Sequence, residues 1–265
     1  MSKGLATESL TLAYGSTIIV PELTLSIPEA QVTALIGANG SGKSTLLHGL
    51  AGIHRPYSGS VKLDGKNIRD MPARKRAQRL GILPQRSDVP TGLTVRDLVT
   101  QGRFPHRGPL TPWSDQDERS LQSALRRSGI TDLSDRQLDT LSGGQQQRAW
   151  IAMALAQETD ILLLDEPTTF LDLAHQIDVL TLLRRLNQDR GVTVVAVLHD
   201  LMQAARYADH ILGMKSGRIA HAGTPNDVLT QAAIADMFDV EAVVIRDPVT
   251  DAPLCVPVAT PTSQH

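Results

Sequence analysis

The chain has 265 residues, with 26 Lys and Arg against 28 Asp and Glu, for a net charge of -2. That length allows one large domain or two small ones with a full core, and the near-balanced charge argues against a nucleic-acid or anionic-membrane surface. Cys255 is the only cysteine, which leaves no internal disulfide and fits a cytosolic compartment; no apolar run approaches the ~20 residues that span a bilayer, and residues 1–4 hold no signal-peptide core.

In chain order, residues 5–12, 23–27 and 60–63 alternate as antiparallel strands do, and Tyr14 is expected in a loop after the first. The apolar run 32–36 reads as a buried strand. It leads into Gly37-Ala38-Asn39-Gly40-Ser41-Gly42-Lys43-Ser44-Thr45, which fits the phosphate-binding pattern G-x-x-x-x-G-K-[ST] with a further glycine at position 40. Glycines let successive N–H groups turn inward around an anion, the start of the next helix adds partial positive charge, and Lys43 adds a full one. Ser44 offers a hydroxyl to Mg²⁺. The stretch predicts binding of a nucleoside triphosphate.

Residues 71–79 read as a helix whose Arg74, Lys75, Arg76 and Arg79, with Arg86 beyond it, form a solvated basic face; 80–83 returns as a strand. From 86 to 160 the pattern is helices and loops, with helices over 94–100, 114–128 and 143–157. The breaker-rich stretch 102–113 is a loop in which Phe104 and Trp113 either anchor the segment or line a groove for a partner. Residues 161–165 form an apolar strand, and 173–190 a helix with Leu173, Ile177, Leu180 and Leu183 along one side. A second buried strand covers 192–198, and strands at 210–214 and 218–221 flank a hairpin turn. Strands alternating with helices around a phosphate loop predict an α/β fold with a parallel-sheet core. The expected division is a nucleotide-binding core with an antiparallel β subdomain (1–85 and 161–240), an inserted helical subdomain (86–160) and an extended tail (241–265).

Two further stretches carry chemistry. Asp165 and Glu166 end the strand at 161–165; Asp165 can hold Mg²⁺ and Glu166 can polarise the attacking water. Adjacent acids on a strand point opposite ways, which suits two roles. Leu141-Ser142-Gly143-Gly144-Gln145 is a capping box, hence a helix start, yet its two glycines weaken a helix and bare N–H groups for another anion.

With these stretches in order, the chain resembles the nucleotide-binding subunit of an ATP-binding cassette (ABC) transporter over roughly residues 5–240. The resemblance implies a P-loop NTPase fold of ABC type. Two copies would bind head to tail around two MgATP, with Ser142, Gly143, Gly144 and Gln145 of one copy covering the ATP on the phosphate loop of the other. Tyr14 matches the aromatic that stacks on adenine, and Gln85 the glutamine that contacts Mg²⁺ and reports to the membrane partner. Phe170-Leu171-Asp172 falls at the inter-subunit loop, and His199 matches the histidine on the γ-phosphate. Implied partners are a permease at the cytoplasmic face of the inner membrane and, indirectly, a substrate-binding protein. Gly102-Arg103-Phe104-Pro105-His106, 148–157, 168–176 and 196–200 resemble the ATPases of ferric-siderophore importers. Haem and cobalamin importers share much of this pattern, and a non-transport nucleotide switch is the rival of a different class; an intact Glu166 argues against it.

Overall fold

The computed structural model describes residues 4–85, 91–108, 110–169 and 171–260. Arg86 and Phe170, both named above, lie outside the described residues, as do Pro109 of the expected loop and Pro261 of the expected tail.

The chain opens with β1 (Leu5–Tyr14), β2 (Thr17–Ser26), β3 (Val32–Gly37), α1 (Lys43–Leu50), β4 (Ser58–Leu63) and the short β5 (Lys66–Asn67). Next come α2 (Ala73–Arg79), β6 (Leu80–Leu83), α3 (Val95–Gln101), α4 (Asp115–Arg127), α5 (Gly143–Ala156), β7 (Ile161–Leu164) and α6 (Leu173–Arg190). The remainder is β8 (Thr193–Val197), α7 (Leu201–Tyr207), β9 (His210–Lys215), β10 (Arg218–Gly223), α8 (Pro225–Val228), α9 (Gln231–Phe238), β11 (Glu241–Arg246) and β12 (Pro253–Ala259). Among the described residues no helix is long and apolar enough to cross a membrane. These elements pack as two compact units, Met1–Asp70 with Thr193–His265, and Met71–Val192.

In the first unit β3 is flanked on both sides by parallel strands, β8 and β9, and β10 pairs antiparallel with β9. Every residue of β3 and β8 is buried, as parallel strands covered on both faces require. A second sheet, ordered β2-β1-β4-β5, is antiparallel throughout. The expected parallel core and antiparallel sheet are both present. The turn between β9 and β10 depends on Gly217: its φ is +79°, and a Cβ there would sit 1.8 Å from the Ile19 carbonyl oxygen. Its N–H donates to the Ser41 carbonyl at 2.9 Å, so this turn buttresses the glycine-rich loop.

Past residue 240 the structure differs from the expected extended tail. β11 and β12 form an antiparallel hairpin, with Pro257 opposite Ala242 and Pro253 opposite Arg246. A two-stranded ribbon has two outer edges, and a proline facing one of them breaks no ladder bond.

In the second unit β6 and β7 pair in parallel, with Leu80 opposite Ile161. Helices α3, α4 and α5 begin at Thr94, Ser114 and Ser142, each of which closes a reciprocal capping box. Arg103, 3% exposed, ties the unit together. It donates to Asp117 Oδ1 at 3.0 Å, and through Nη1 to the Ala156 carbonyl and Glu158 Oε2, both at 2.8 Å. A buried guanidinium needs such partners; removing one side of a buried pair typically costs about 3–5 kcal/mol. Trp113 anchors the loop, donating to Glu118 Oε2 at 2.8 Å beneath Arg107, whereas Phe104 is 61% exposed. The basic helix α2 is tethered as well as solvated, since Arg74 and Gln78 both donate to the Pro105 carbonyl. On α6 the expected apolar side splits: Leu180 and Leu183 are buried, but Leu173 and Ile177 are 69% and 42% exposed.

Candidate nucleotide site

Between β3 and α1 the chain turns on three glycines, Gly37, Gly40 and Gly42, at φ +148°, +77° and +100°. Only glycine adopts these angles without strain. Gly37 is also sterically required, because a Cβ there would lie 2.3 Å from the Met214 carbonyl oxygen. Gly42 caps α1, and its carbonyl accepts from the Leu46 N–H at 2.8 Å. Lys43, 5% exposed, folds back so that Nζ donates to the Gly37 and Ala38 carbonyls, each at 2.9 Å. Its ammonium is therefore held inside the loop, at the start of a helix. The Ser41 hydroxyl is buried there with no hydrogen-bond partner among the described residues, the kind of donor that an anion in the loop would satisfy. Asn39 and Gly40 form the loop's exposed rim, and Ser44 and Thr45 enter the first turn of α1.

Tyr14, expected in a loop, is instead the last residue of β1. It is 54% exposed, with its ring 4.6 Å from that of His54. His54 in turn bonds the Ala13 carbonyl at 2.9 Å, which leaves an aromatic platform with one open side in the first unit.

The acidic pair belongs to the second unit. Asp165 is 2% exposed, and its N–H donates to the Leu83 carbonyl at 2.9 Å, prolonging the β6–β7 pairing by one residue. Glu166 does not follow the strand alternation expected of it. The strand ends at Leu164, and Glu166 takes a left-handed φ of +51°, a conformation that costs a non-glycine residue about 1 kcal/mol or more. Its carboxylate is fixed by two donors, Gln85 Nε2 at 2.5 Å and Thr169 Oγ1 at 2.9 Å. The turn and the two donors, rather than pleat alternation, set its direction. Thr169 was missed from sequence; its place three residues beyond Glu166 in a tight turn is the signal that could have found it.

At the start of α5 the capping box uses two N–H groups. Ser142 Oγ accepts from Gln145 N at 3.3 Å, and Gln145 Oε1 accepts from Ser142 N at 3.1 Å. The N–H groups of Gly143 and Gly144 belong to the first turn, where no intrahelical acceptor exists. The two glycines differ, however. Gly143 is exposed, and a methyl added there would meet nothing within 4 Å, whereas Gly144 is buried against the ring of His175. Asp172 caps α6, its Oδ1 accepting from the His175 N–H at 2.9 Å and from ring Nδ1 at 2.7 Å. The bond from the His175 backbone, then that from its ring, holds the Asp172 carboxyl below its ordinary range.

His199 lies in the first unit, exposed, just past the end of β8. With Asp200, which caps α7, it forms one wall of an apolar cavity of about 400 Å³ whose other walls are α9 and the terminal hairpin. The first unit thus carries the phosphate loop, Tyr14 and His199; the second carries Gln85, Asp165, Glu166, the α5 start and Asp172.

The family model described as ABC transporter matches residues 20–169. The ferric enterobactin transport ATP-binding protein FepC of Escherichia coli (strain K12) is 48% identical, over 94% of this chain and 92% of that protein. An inward-facing structure of a metal-chelate type ABC transporter covers 97% of this chain and 98% of its own, at a TM-score of 0.84 and 32% identity. The dimeric structure of MJ0796, a bacterial ABC transporter cassette, matches at a TM-score of 0.74 and 29% identity, over 83% of this chain and 98% of that one.

Proposed function

This chain belongs to the ABC transporter family, as an ATP-binding subunit, and from that premise we propose that it hydrolyses ATP to drive uptake of an Fe(III)–siderophore through a separate permease. The observation that carries the nucleotide chemistry is the coexistence of two unequal helix starts, one with a buried lysine and glycines at positive φ, the other uncharged and open at Gly143. The first can hold a triphosphate; the second can only complete a site made elsewhere. Its natural complement is the phosphate loop of a second copy, and the exposed Leu173 and Ile177, following Asp172, supply apolar surface for that copy. The identity to a ferric enterobactin ATPase supports the cargo class.

In this reading Tyr14 stacks on adenine, and Gly37, Asn39, Gly40, Ser41, Gly42, Lys43 and Thr45 surround the phosphates. Lys43 exchanges its two carbonyl acceptors for β- and γ-phosphate oxygens. Ser44, Gln85 and Asp165 would hold Mg²⁺; a hydroxyl, an amide oxygen and a buried carboxylate are the hard oxygen donors that this ion prefers. Bound there, Mg²⁺ would neutralise developing phosphate charge. Glu166, pinned by Gln85 and Thr169, orients and deprotonates the attacking water, and His199 contacts the γ-phosphate. Ser142, Gly143, Gly144, Gln145 and Asp172 act on the ATP of the opposite copy. Such catalysis is mostly positioning and charge stabilisation, so half a site is nearly idle. The assembly sits at the cytoplasmic face of the membrane through its permease, which receives cargo from a substrate-binding protein.

The test is radiolabelled uptake in cells lacking this chain. Wild type should restore Fe(III)–siderophore uptake, and Glu166→Gln, with hydrolysis reduced by about two orders of magnitude, should not. Uptake of haem or cobalamin in its place would move the assignment to that cargo; uptake independent of this chain would leave a nucleotide switch.

A further inference from the structure

The two second-unit elements assigned to the opposite copy's ATP, the α5 start and Asp172, are joined by one side chain. His175 stands in the first turn of α6. Its ring donates through Nδ1 to Asp172 Oδ1 at 2.7 Å, the same oxygen that accepts its own backbone N–H. A carboxylate acceptor fixes Nδ1 as the protonated nitrogen. With the ring held there, it lies against Gly144: a Cβ at that position would sit 3.1 Å from Cγ, 3.2 Å from Cδ2 and 3.3 Å from Nδ1. Gly144 has an ordinary helical φ, so backbone strain does not explain a glycine in the first turn, where it weakens the helix by roughly 1 kcal/mol relative to alanine. Clearance for the imidazole does explain it. Gly143, by contrast, meets nothing.

We propose that His175 is a positioning residue which sets the α5 start and Asp172 as one rigid surface toward the ATP held by the opposite copy. The inference rests on the shared-site reading above. With Asp172 bonded to one edge of the ring and Gly144 packed on its face, a shift of either element displaces the other. The N–H groups at Gly143 and Gly144, which have no intrahelical acceptor, and the Asp172 loop therefore approach a phosphate in fixed relative geometry. A misplacement of about 1 Å can cost ~10²-fold in rate, so this geometry matters for turnover far more than for nucleotide affinity on the chain's own phosphate loop.

The experiment uses full-length chains and MgATP. His175→Ala should lower turnover at saturating ATP by roughly 10-fold or more, with nucleotide affinity of the isolated chain within about 2-fold of wild type. Mixed with Lys43→Ala chains, it should regain activity above either variant alone, because one composite site then carries both lesions and the other neither. A purely structural role gives no such rescue, since damage confined to its own chain also spoils the site with an intact Lys43. Should His175→Ala fail to fold, His175→Asn, which keeps a donor for Asp172 but lacks the ring, carries the same test. The control mixes Lys43→Ala with Ser142→Arg. No rescue in the control defeats the shared site, and this inference with it. Rescue in the control, together with wild-type turnover by the His175 variants or no rescue of them, overturns the role of His175 alone.

Discussion

Two helix starts in this chain look alike in sequence and are built on opposite principles. At the start of α1 the glycines are there for conformation, at φ values that side chains avoid, and they wrap a buried ammonium. At the start of α5 the glycines are in ordinary helical geometry with no charge in the turn; one is open, and the other makes room for an imidazole. A glycine pair alone therefore does not define a phosphate cradle. In the function proposed above, the first start binds the anion and the second is laid against one already bound.

The largest effect should come from breaking the two starts separately and then pooling them. Lys43→Ala and Ser142→Arg should each reduce ATP turnover by about 100-fold or more, on the scale of losing a transition-state donor. Only Lys43→Ala should weaken nucleotide binding by the isolated chain. The mixture should outpace both, and a Ser142→Arg chain with wild-type turnover would erase the functional half of the comparison.

The next effect separates the two glycines of α5. Gly143→Ala should stabilise the fold by up to about 1 kcal/mol, since a methyl there meets no neighbour and favours the helix, yet it should slow turnover by crowding the opposite copy's ATP. Gly144→Ala should destabilise by about 1 kcal/mol, the overpacking against His175 exceeding the helical gain. Thermal melting of the two variants reads this directly: opposite signs sharpen the distinction, and equal signs dissolve it.

The smallest effect concerns the scaffold behind the second start. Bonds from Arg96, then Gln122 and Trp113, hold Glu118 at about 2 against an ordinary 4.5. A carboxylate with a lowered folded pKa stabilises fully above its unfolded value, and that stabilisation drains away as pH falls from 4.5 toward 2. Wild type should therefore lose melting temperature between pH 5 and about pH 2.5 more steeply than Glu118→Gln, whose side chain does not titrate. Parallel slopes would remove Glu118 from the loop's support.

Much of this was legible in the sequence because it is local. The glycine-rich loop after an apolar run, the capping box at Ser142 and the alternation of β1 all declare themselves within a few residues. What stayed hidden depends on distance or on unread punctuation. Thr224 with Asp227 is a capping box, and Asp200 and Thr230 are caps, so α7, α8 and α9 could have been read. The terminal hairpin could not, since prolines in its strands look like breakers until a two-stranded ribbon supplies free edges. Three features required the folded chain: the left-handed kink of Glu166, its bond to Gln85 and the ring of His175 on Gly144. They join stretches that nothing in local pattern connects.

The parallel partners of β3 also put a clock into the chain's synthesis. Val32–Gly37 is made early, but β8 and β9, which flank it, both follow residue 192. At translation rates of about 5–20 residues per second, this wholly buried strand waits on the order of ten seconds before either neighbour leaves the ribosome. Meanwhile the second unit, contiguous from Met71 to Val192, has all its own pieces in hand. The order of birth is thus the reverse of the order of reading: the contiguous second unit can fold first, while the strand leading into the glycine-rich loop waits for partners made last.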